Sequence, residues 1–306
     1  MSIVFFGTPE FAVSSLKALI RSREEISLVV TQTDKIKGRG HKLTPPPIKL
    51  AAVDAGLTVI QPATLMDSVV SGKIAALKPE FIIVVAYGKI LPKSVLEIPR
   101  RGCINVHASL LPKYRGAAPI AWAIMNGEKK TGITTMLMDE GLDSGPILLR
   151  EELEITPEDT AYSLSKTLSE LGASLLEKTL EGLRNGSVKP FPQTGEVSFA
   201  PALRKENGLL DWSRSADDIC NFIRGMQPWP GAYSYINGEA VKILKAKPTA
   251  GNGAPGVIEK ITPHEVIIGA GNGLLSIIEL QPPGKKPMPA SAFLQGRKLK
   301  QGMTLK

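Results

Sequence analysis

The chain has 306 residues and a mass of 32.8 kDa, a length that suggests two domains at roughly 150 residues each. Hydrophobic residues make up 43%, charged residues 22%, and the mean hydropathy is +0.03. These values exclude wholesale disorder and fibrous repeats, and no stretch approaches the ~20 apolar residues of a membrane span. The net charge of +8 is uneven: residues 1–188 carry 22 Lys/Arg against 20 Asp/Glu, and residues 189–306 carry 15 against 9. A basic second half suits a polyanionic partner, or simply a soluble basic surface. Two cysteines, Cys103 and Cys220, exclude a disulfide framework and a four-cysteine zinc site. No basic stretch leads into an apolar one, so no leader peptide is expected, and a reducing cytoplasm is the simplest setting.

In chain order, Ile3–Phe6 reads as a strand ended by Gly7-Thr8-Pro9, and Phe11–Ile20 as a helix with Pro9 near its first turn. Ser27–Val30 and Thr58–Ile60 follow as strands. Phe81–Ala86 is apolar on both faces, as central parallel strands are. Ile104–Val106 and Ile133–Met138 are further strand candidates, and Pro157–Leu183 has the apolar spacing of one long amphipathic helix. Strands alternating with helices predict a doubly wound, mostly parallel, Rossmann-like α/β sheet over residues 1–188. Residues 189–208 are rich in proline and glycine and read as a partly extended linker. Residues 209–306 hold a helix at Ala216–Met226 and five short strands: Ala232–Ile236, Ala240–Ala246, Gly256–Ile261, Glu265–Gly269 and Leu274–Gln281. That set predicts a small OB-like β-barrel. Between the second and third strands, Thr33–Lys49 carries Lys35, Lys37, Arg39, His41, Lys42 and Lys49 against Asp34 alone. It is expected to be a long unstructured loop, either functional or merely solvated.

Gly7-Thr8-Pro9 stands where a dinucleotide fold would carry G-x-G-x-x-G, and neither a P-loop nor G-x-S-x-G occurs. His41, His107 and His264 are far apart and show no metal-ligand spacing, so no metal is expected. Attention falls on Asn105 and His107, two apart at the carboxyl end of a strand. Period-two geometry turns both to one face, at the end where open α/β sheets place ligands. An amide with fixed donors and an imidazole that titrates near neutrality suit an acyl transfer: one holds a developing oxyanion, the other handles a proton. The alternative is a histidine that only caps its strand. Asp143, in the glycine-flanked loop Met138–Gly145, is either a partner for that histidine or a turn former.

The segments F-F-G-T-P-E-F-A, V-V-A-Y-G-K-I-L-P, I-N-V-H-A-S-L-L-P-K-Y-R-G-A-A-P-I and M-D-E-G-L-D-S-G resemble the folate-dependent formyltransferase family over nearly the whole chain. Ala108 stands where many members have glycine. The resemblance implies a catalytic set of Asn105, His107 and Asp143, and a formyl donor, 10-formyltetrahydrofolate. The donor would be held by Ser109, Leu110, Leu111 and Pro112, with Tyr87 to Leu91 and the Asp139–Asp143 loop lining the pterin pocket. The basic insertion and basic second half select the tRNA-acting branch. The implied acceptor is initiator methionyl-tRNA, met by Lys37, Arg39 and Lys42, with a bacterial cytoplasmic monomer, no membrane and no metal. Three alternatives stay open at this point: a formyltransferase acting on a small amine, a formyltetrahydrofolate hydrolase domain, and a non-catalytic RNA-binding protein on the same core.

Overall fold

The computed structural model describes residues 2–37, 42–263, 265–295 and 299–306, the side chains of Lys37, Lys42 and Gln295 excepted. The first strand, β1 (Ser2–Gly7), leads through a short 3-10 turn into α1 (Val13–Arg21) and β2 (Glu25–Val30). Next come a hairpin of β3 (Lys35–Lys37) and β4 (Lys42–Thr44), then α2 (Pro47–Asp54), β5 (Val59–Ile60), α3 (Ser68–Ala76), β6 (Phe81–Val85) and α4 (Lys93–Leu96). The first half ends with β7 (Cys103–His107), α5 (Pro119–Met125), β8 (Lys130–Leu137), β9 (Ile147–Glu154) and α6 (Ala161–Asn185). The strands order as β5-β2-β1-β6-β7-β8-β9, parallel up to β7 and antiparallel from β7 to β9. This is the expected doubly wound sheet, finished by an antiparallel edge.

Both faces of the sheet are covered, which is why β6 is apolar throughout. On one face Val4, Phe6, Val30, Ile82 and Val84 pack with Ile74 of α3 and Val95 of α4. On the other, Gly172 of α6 lies where an added Cβ would stand 3.0 Å from Val106 and 3.5 Å from Ile133, so glycine lets the helix approach β7 and β8. The last turn of α6 is tethered by Arg184, which binds Glu24 at 2.6 Å and Glu80 at 2.9 Å; Arg101 meets Glu80 from the other side at 3.3 Å. Glu80 is 1% exposed, and a buried carboxylate persists only when its oxygens are paired in this way.

The remaining elements are α7 (Ala216–Gly225), β10 (Tyr233–Ile236), β11 (Glu239–Thr249), β12 (Ile258–Ile261), β13 (Val266–Gly269), β14 (Leu274–Gln281), β15 (Met288–Pro289) and α8 (Ala290–Gln295). They form an antiparallel sheet ordered β10-β11-β14-β13-β12, with β15 on β14. The five expected strands are all present, each within a few residues. Val241, Ile243, Ile258, Ile268, Leu275 and Ile277 bury one face of it. The chain divides into two compact units. The first comprises Met1–Pro119, Lys130–Glu154 and Ser165–Pro201; the second comprises Ile120–Lys129, Ile155–Leu164 and Ala202–Lys306. Among the described residues no helix is long and apolar enough to cross a membrane.

The insertion differs from the expected unstructured loop. Its arms pair antiparallel, Lys35 with Thr44, Ile36 with Leu43 and Lys37 with Lys42. The hairpin's base is closed by Lys49, which binds Asp34 at 2.9 Å, while Gln61 donates to Asp34 at 2.6 Å. Period-two alternation within K-I-K and K-L-T is too short to be recognised in sequence as a strand pair. Arg39 and His41 lie outside the described residues.

Candidate active site

The alternation of β7 buries Asn105 and His107 on one face at its carboxyl end, 8% and 6% exposed. Asp143 reaches them from the turn after β8. Its Oδ1 accepts from Asn105 Nδ2 at 3.2 Å, and its Oδ2 accepts from the Gly116 backbone N–H at 2.8 Å. The same Oδ2 stands 3.7 Å from His107 Nδ1. The three residues singled out in the sequence therefore come together, Asn105 hydrogen-bonded to Asp143 and His107 facing the same carboxylate at 3.7 Å.

The other histidine nitrogen, Nε2, lies 2.9 Å from the carbonyl oxygen of Tyr114. A carbonyl only accepts, so Nε2 carries a hydrogen and donates it. The Tyr114 backbone thus fixes the tautomer of the neutral ring. Nδ1 is left facing Asp143 beyond hydrogen-bond distance. Tyr114 and Asp143 are both non-glycine residues in the left-handed region, with φ of +60° and +46°. Glycines permit these turns: an added Cβ on Gly145 would stand 1.9 Å from the Leu137 carbonyl oxygen, and on Gly116 2.8 Å from that of Ala200. Tyr114 and Gly116 act through main-chain atoms, which leave little sequence signature; the Gly after Tyr114-Arg115 is the one available cue.

The expected donor segment is a folded turn bound to β8. Thr134 Oγ1 donates to the Ser109 carbonyl at 2.7 Å and accepts from the Leu111 N–H at 3.1 Å. Ser109 Oγ donates to the Lys113 carbonyl at 2.6 Å, and Arg150 Nη1 to the Leu111 carbonyl at 3.1 Å. Ser109, Leu111 and Pro112 are buried and Leu110 is half-buried. Tyr87 and Leu91 are also buried, packed in the core with Phe6 and Cys103. The Tyr87 hydroxyl has no hydrogen-bond partner among the described residues, and burial pushes its pKa up to about 12. Between them Gly88, Lys89 and Ile90 are exposed, Ile90 at 86%. Tyr87 and Leu91 thus anchor a loop whose outer surface is formed by its middle residues.

The set holds no serine, threonine or cysteine. Cys103 opens β7, but burial pushes its thiol up to about 12, and the thiolate is the reactive form. The described residues contain no cluster of three or more metal-binding side chains. Of the acceptor residues expected from the sequence, Lys37 and Lys42 lie on the paired arms of the hairpin. The hairpin presents Ile36 and Leu43 as an exposed cross-strand pair, 64% and 66% accessible.

An amide, an imidazole and a carboxylate gathered at the carboxyl end of a parallel sheet, with no serine, threonine or cysteine among them, suit transfer of an activated group between two bound substrates. The chain belongs to the formyl transferase family. The family's formyl transferase domain matches residues 1–180, and its C-terminal domain matches residues 202–298. The chain is 56% identical over 301 residues to a protein of Thermodesulfovibrio yellowstonii described as methionyl-tRNA formyltransferase, with 98% of this chain and 97% of that one covered. It is 48% identical to a protein so described from Pelotomaculum thermopropionicum, covering 100% and 98%. Its fold is shared with a solved N-formyltransferase of Helicobacter canadensis in complex with folinic acid and dTDP-3-aminofucose. That pair has a TM-score of 0.70 at 20% identity, covering 92% and 98% of the two chains.

Proposed function

We infer that the protein transfers a formyl group from 10-formyltetrahydrofolate to the α-amino group of initiator methionyl-tRNA, for use in translation initiation. The observation that carries the chemistry is the gathering of the Asn105 amide, the His107 imidazole and the Asp143 carboxylate at one strand end. Full-length likeness to relatives described by that activity supports the acceptor. The net of +6 over residues 189–306 and the lysine-bearing hairpin suit a polyanion held through its phosphates.

The mechanism we propose uses the hydrogen-bond donors of this set. The substrate's α-amine attacks the formyl carbon; a carbon–nitrogen bond forms, and the bond to N10 of the folate breaks. Asn105 spends one of its two amide hydrogens on Asp143 and has the second for the formyl oxygen. His107 keeps its Nε2 hydrogen on the Tyr114 carbonyl, and its Nδ1, which faces Asp143 Oδ2, has a hydrogen to give the developing oxyanion once the ring takes up a proton. The proton lost by the amine ends on N10, and Asp143 helps move it through water. Both β7 residues are nearly dry, so these interactions are stronger than in water. Ser109–Pro112, the Tyr87–Leu91 loop and the Asp139–Asp143 turn are the proposed donor contacts. Lys37, Arg39 and Lys42 are the proposed tRNA contacts. A monomer in the bacterial cytoplasm is the proposed working form; the free Cys103 and Cys220 suit that reducing compartment.

The test supplies radiolabelled 10-formyltetrahydrofolate with charged methionyl-tRNA, uncharged tRNA and a nucleotide-linked amino sugar in separate reactions. Label should appear on the charged tRNA alone. Label on the amino sugar, with none on the charged tRNA, overturns the assignment.

A further inference from the structure

The stretch after α6 reads in sequence as a linker, yet it makes contacts no linker needs. Of residues 191–199, Gln193 and Ser198 are the two that are not exposed. The Gln193 amide nitrogen donates to the backbone carbonyls of Asp143 and Gly145, each at 2.8 Å. Its oxygen accepts from Arg115 Nε at 3.2 Å and Nη2 at 2.7 Å. Both amide hydrogens and both lone pairs are therefore in use, the full capacity of a glutamine side chain. Glutamate offers no donor for the two carbonyls, and asparagine is one methylene short.

The rest of the strap grips the other side of the site. Phe191 and Ile147 exchange backbone hydrogen bonds at 2.8 and 2.9 Å. Ser198 Oγ accepts from the Tyr114 N–H at 2.9 Å, the Ser198 carbonyl accepts from Arg115 N–H at 2.9 Å, and Ala200 N–H donates to the Arg115 carbonyl at 2.7 Å. One strap thus holds the two residues that face the two nitrogens of His107. Both sit at positive φ, a conformation costing roughly 1 kcal/mol or more that surrounding contacts must sustain.

We propose that Gln193 is a positioning residue for formyl transfer: it holds the Asp143 turn in its left-handed conformation, and with it the carboxylate against Asn105, Gly116 and His107. The proposal rests on the formyl-transfer reading of the site. Without the two hydrogen bonds, the turn relaxes and the carboxylate leaves its partners. Gln193→Ala and Gln193→Glu are compared with wild type in steady-state formylation of charged tRNA. Each variant should lose about 10- to 100-fold in kcat, the scale of a misplaced catalytic group, with KM for donor and tRNA held within about threefold. The glutamate variant separates two roles, because it keeps an acceptor for Arg115 and loses both donors. Amide hydrogen exchange at Gly116, whose N–H binds Asp143 Oδ2, reads the carboxylate's position without any activity and should quicken about tenfold in both variants, the trace of a loosened local contact. Wild-type kcat in either variant, a loss confined to KM, or unchanged Gly116 exchange overturns the proposal. An inactive wild-type protein would instead refute the reading of function, and the Gly116 comparison would still decide whether Gln193 positions Asp143.

Discussion

Asp143→Asn keeps the shape of the carboxylate and tests what its charge and two oxygens do. In the wild type each oxygen takes one N–H: Oδ1 from Asn105 and Oδ2 from Gly116. An asparagine has one acceptor oxygen. Whichever way its amide turns, an NH2 meets either the Asn105 amide or the Gly116 N–H, donor against donor. A lost hydrogen bond of this kind costs about 1 kcal/mol. Loss of the charge matters more. At the 3.7 Å separating Asp143 Oδ2 from His107 Nδ1, an effective dielectric of about 20 gives an attraction of about 4.5 kcal/mol between the carboxylate and the ring whenever a proton on Nδ1 makes it an imidazolium. If half is expressed in the transition state, the two losses together reach about 3 kcal/mol, on the order of a 100-fold loss in rate. The readout is kcat for formylation under saturating donor and tRNA, with circular dichroism confirming the fold. Asn105→Ala and His107→Ala should lose on the order of 100- to 1000-fold. A kcat for Asp143→Asn within about threefold of wild type would show that the carboxylate is a turn former and would remove it from the mechanism.

Glu80→Gln tests the tether on α6. Burial raises the Glu80 pKa, but the hydrogen bonds and charges of Arg184 and then Arg101 outweigh it and hold the carboxyl below its ordinary 4.5. Its contribution is therefore present above that value and lost as pH falls through the folded pKa. The variant should be destabilised at pH 7 by about 2 kcal/mol, less than the roughly 3–5 of a fully buried pair because both arginines reach solvent. The gap to wild type in thermal melts should close toward pH 3, and a gap independent of pH would refute the assignment. Arg39→Ala should slow formylation of charged tRNA while leaving donor binding unchanged, because arginine's planar fork has no substitute in alanine; wild-type kinetics across a salt series would remove Arg39 from the mechanism. Both thiols are pushed up to about 12, by burial first and, for Cys220, also by Asp217. A thiol-specific reagent at pH 8 should leave the native protein unlabelled and fully active, and rapid inactivation by labelling of Cys103 would contradict its burial.

Much of the fold was legible because its central strands and longest helix carry strong signals. The run Phe81–Val85 could only be a strand buried on both faces, and Leu164, Leu168, Leu175, Leu176 and Leu180 of α6 repeat at helical spacing and are all buried. The elements that sequence reasoning missed lack such signals. The α3 segment S-V-V-S-G-K-I-A-A has a glycine in its middle, and Ile74 is its buried residue. The α2 segment begins in three prolines, where Pro47 serves as a first-turn residue rather than a breaker. The β9 segment I-L-L-R-E-E-L-E puts three glutamates on an edge strand, whose outer side faces solvent, so its charge reads as loop.

The site divides along the same physical line. Asn105 and His107 were legible together because a strand's period of two forces neighbours two apart onto one face. Asp143 is 38 residues from Asn105, and nothing in local periodicity joins them; its glycine-flanked loop singled it out as a histidine partner or a turn former, and the resemblance joined the three into one set. Tyr114 contributes a carbonyl, which every residue supplies, and Gly116 an N–H, which every residue but proline supplies, so no side-chain pattern could have marked them. Gln193 does act through its side chain, but its partners lie 50 and 48 residues before it for Asp143 and Gly145. Its neighbours Pro190, Pro192 and Gly195 signal irregular backbone, and the same irregularity is what lets the strap run over the site and reach both turns. A segment that carries the signature of a linker is thus the one whose side chain completes the hydrogen bonding of the Asp143 turn, and periodicity, which reports burial along one element, cannot distinguish these two uses of extended chain.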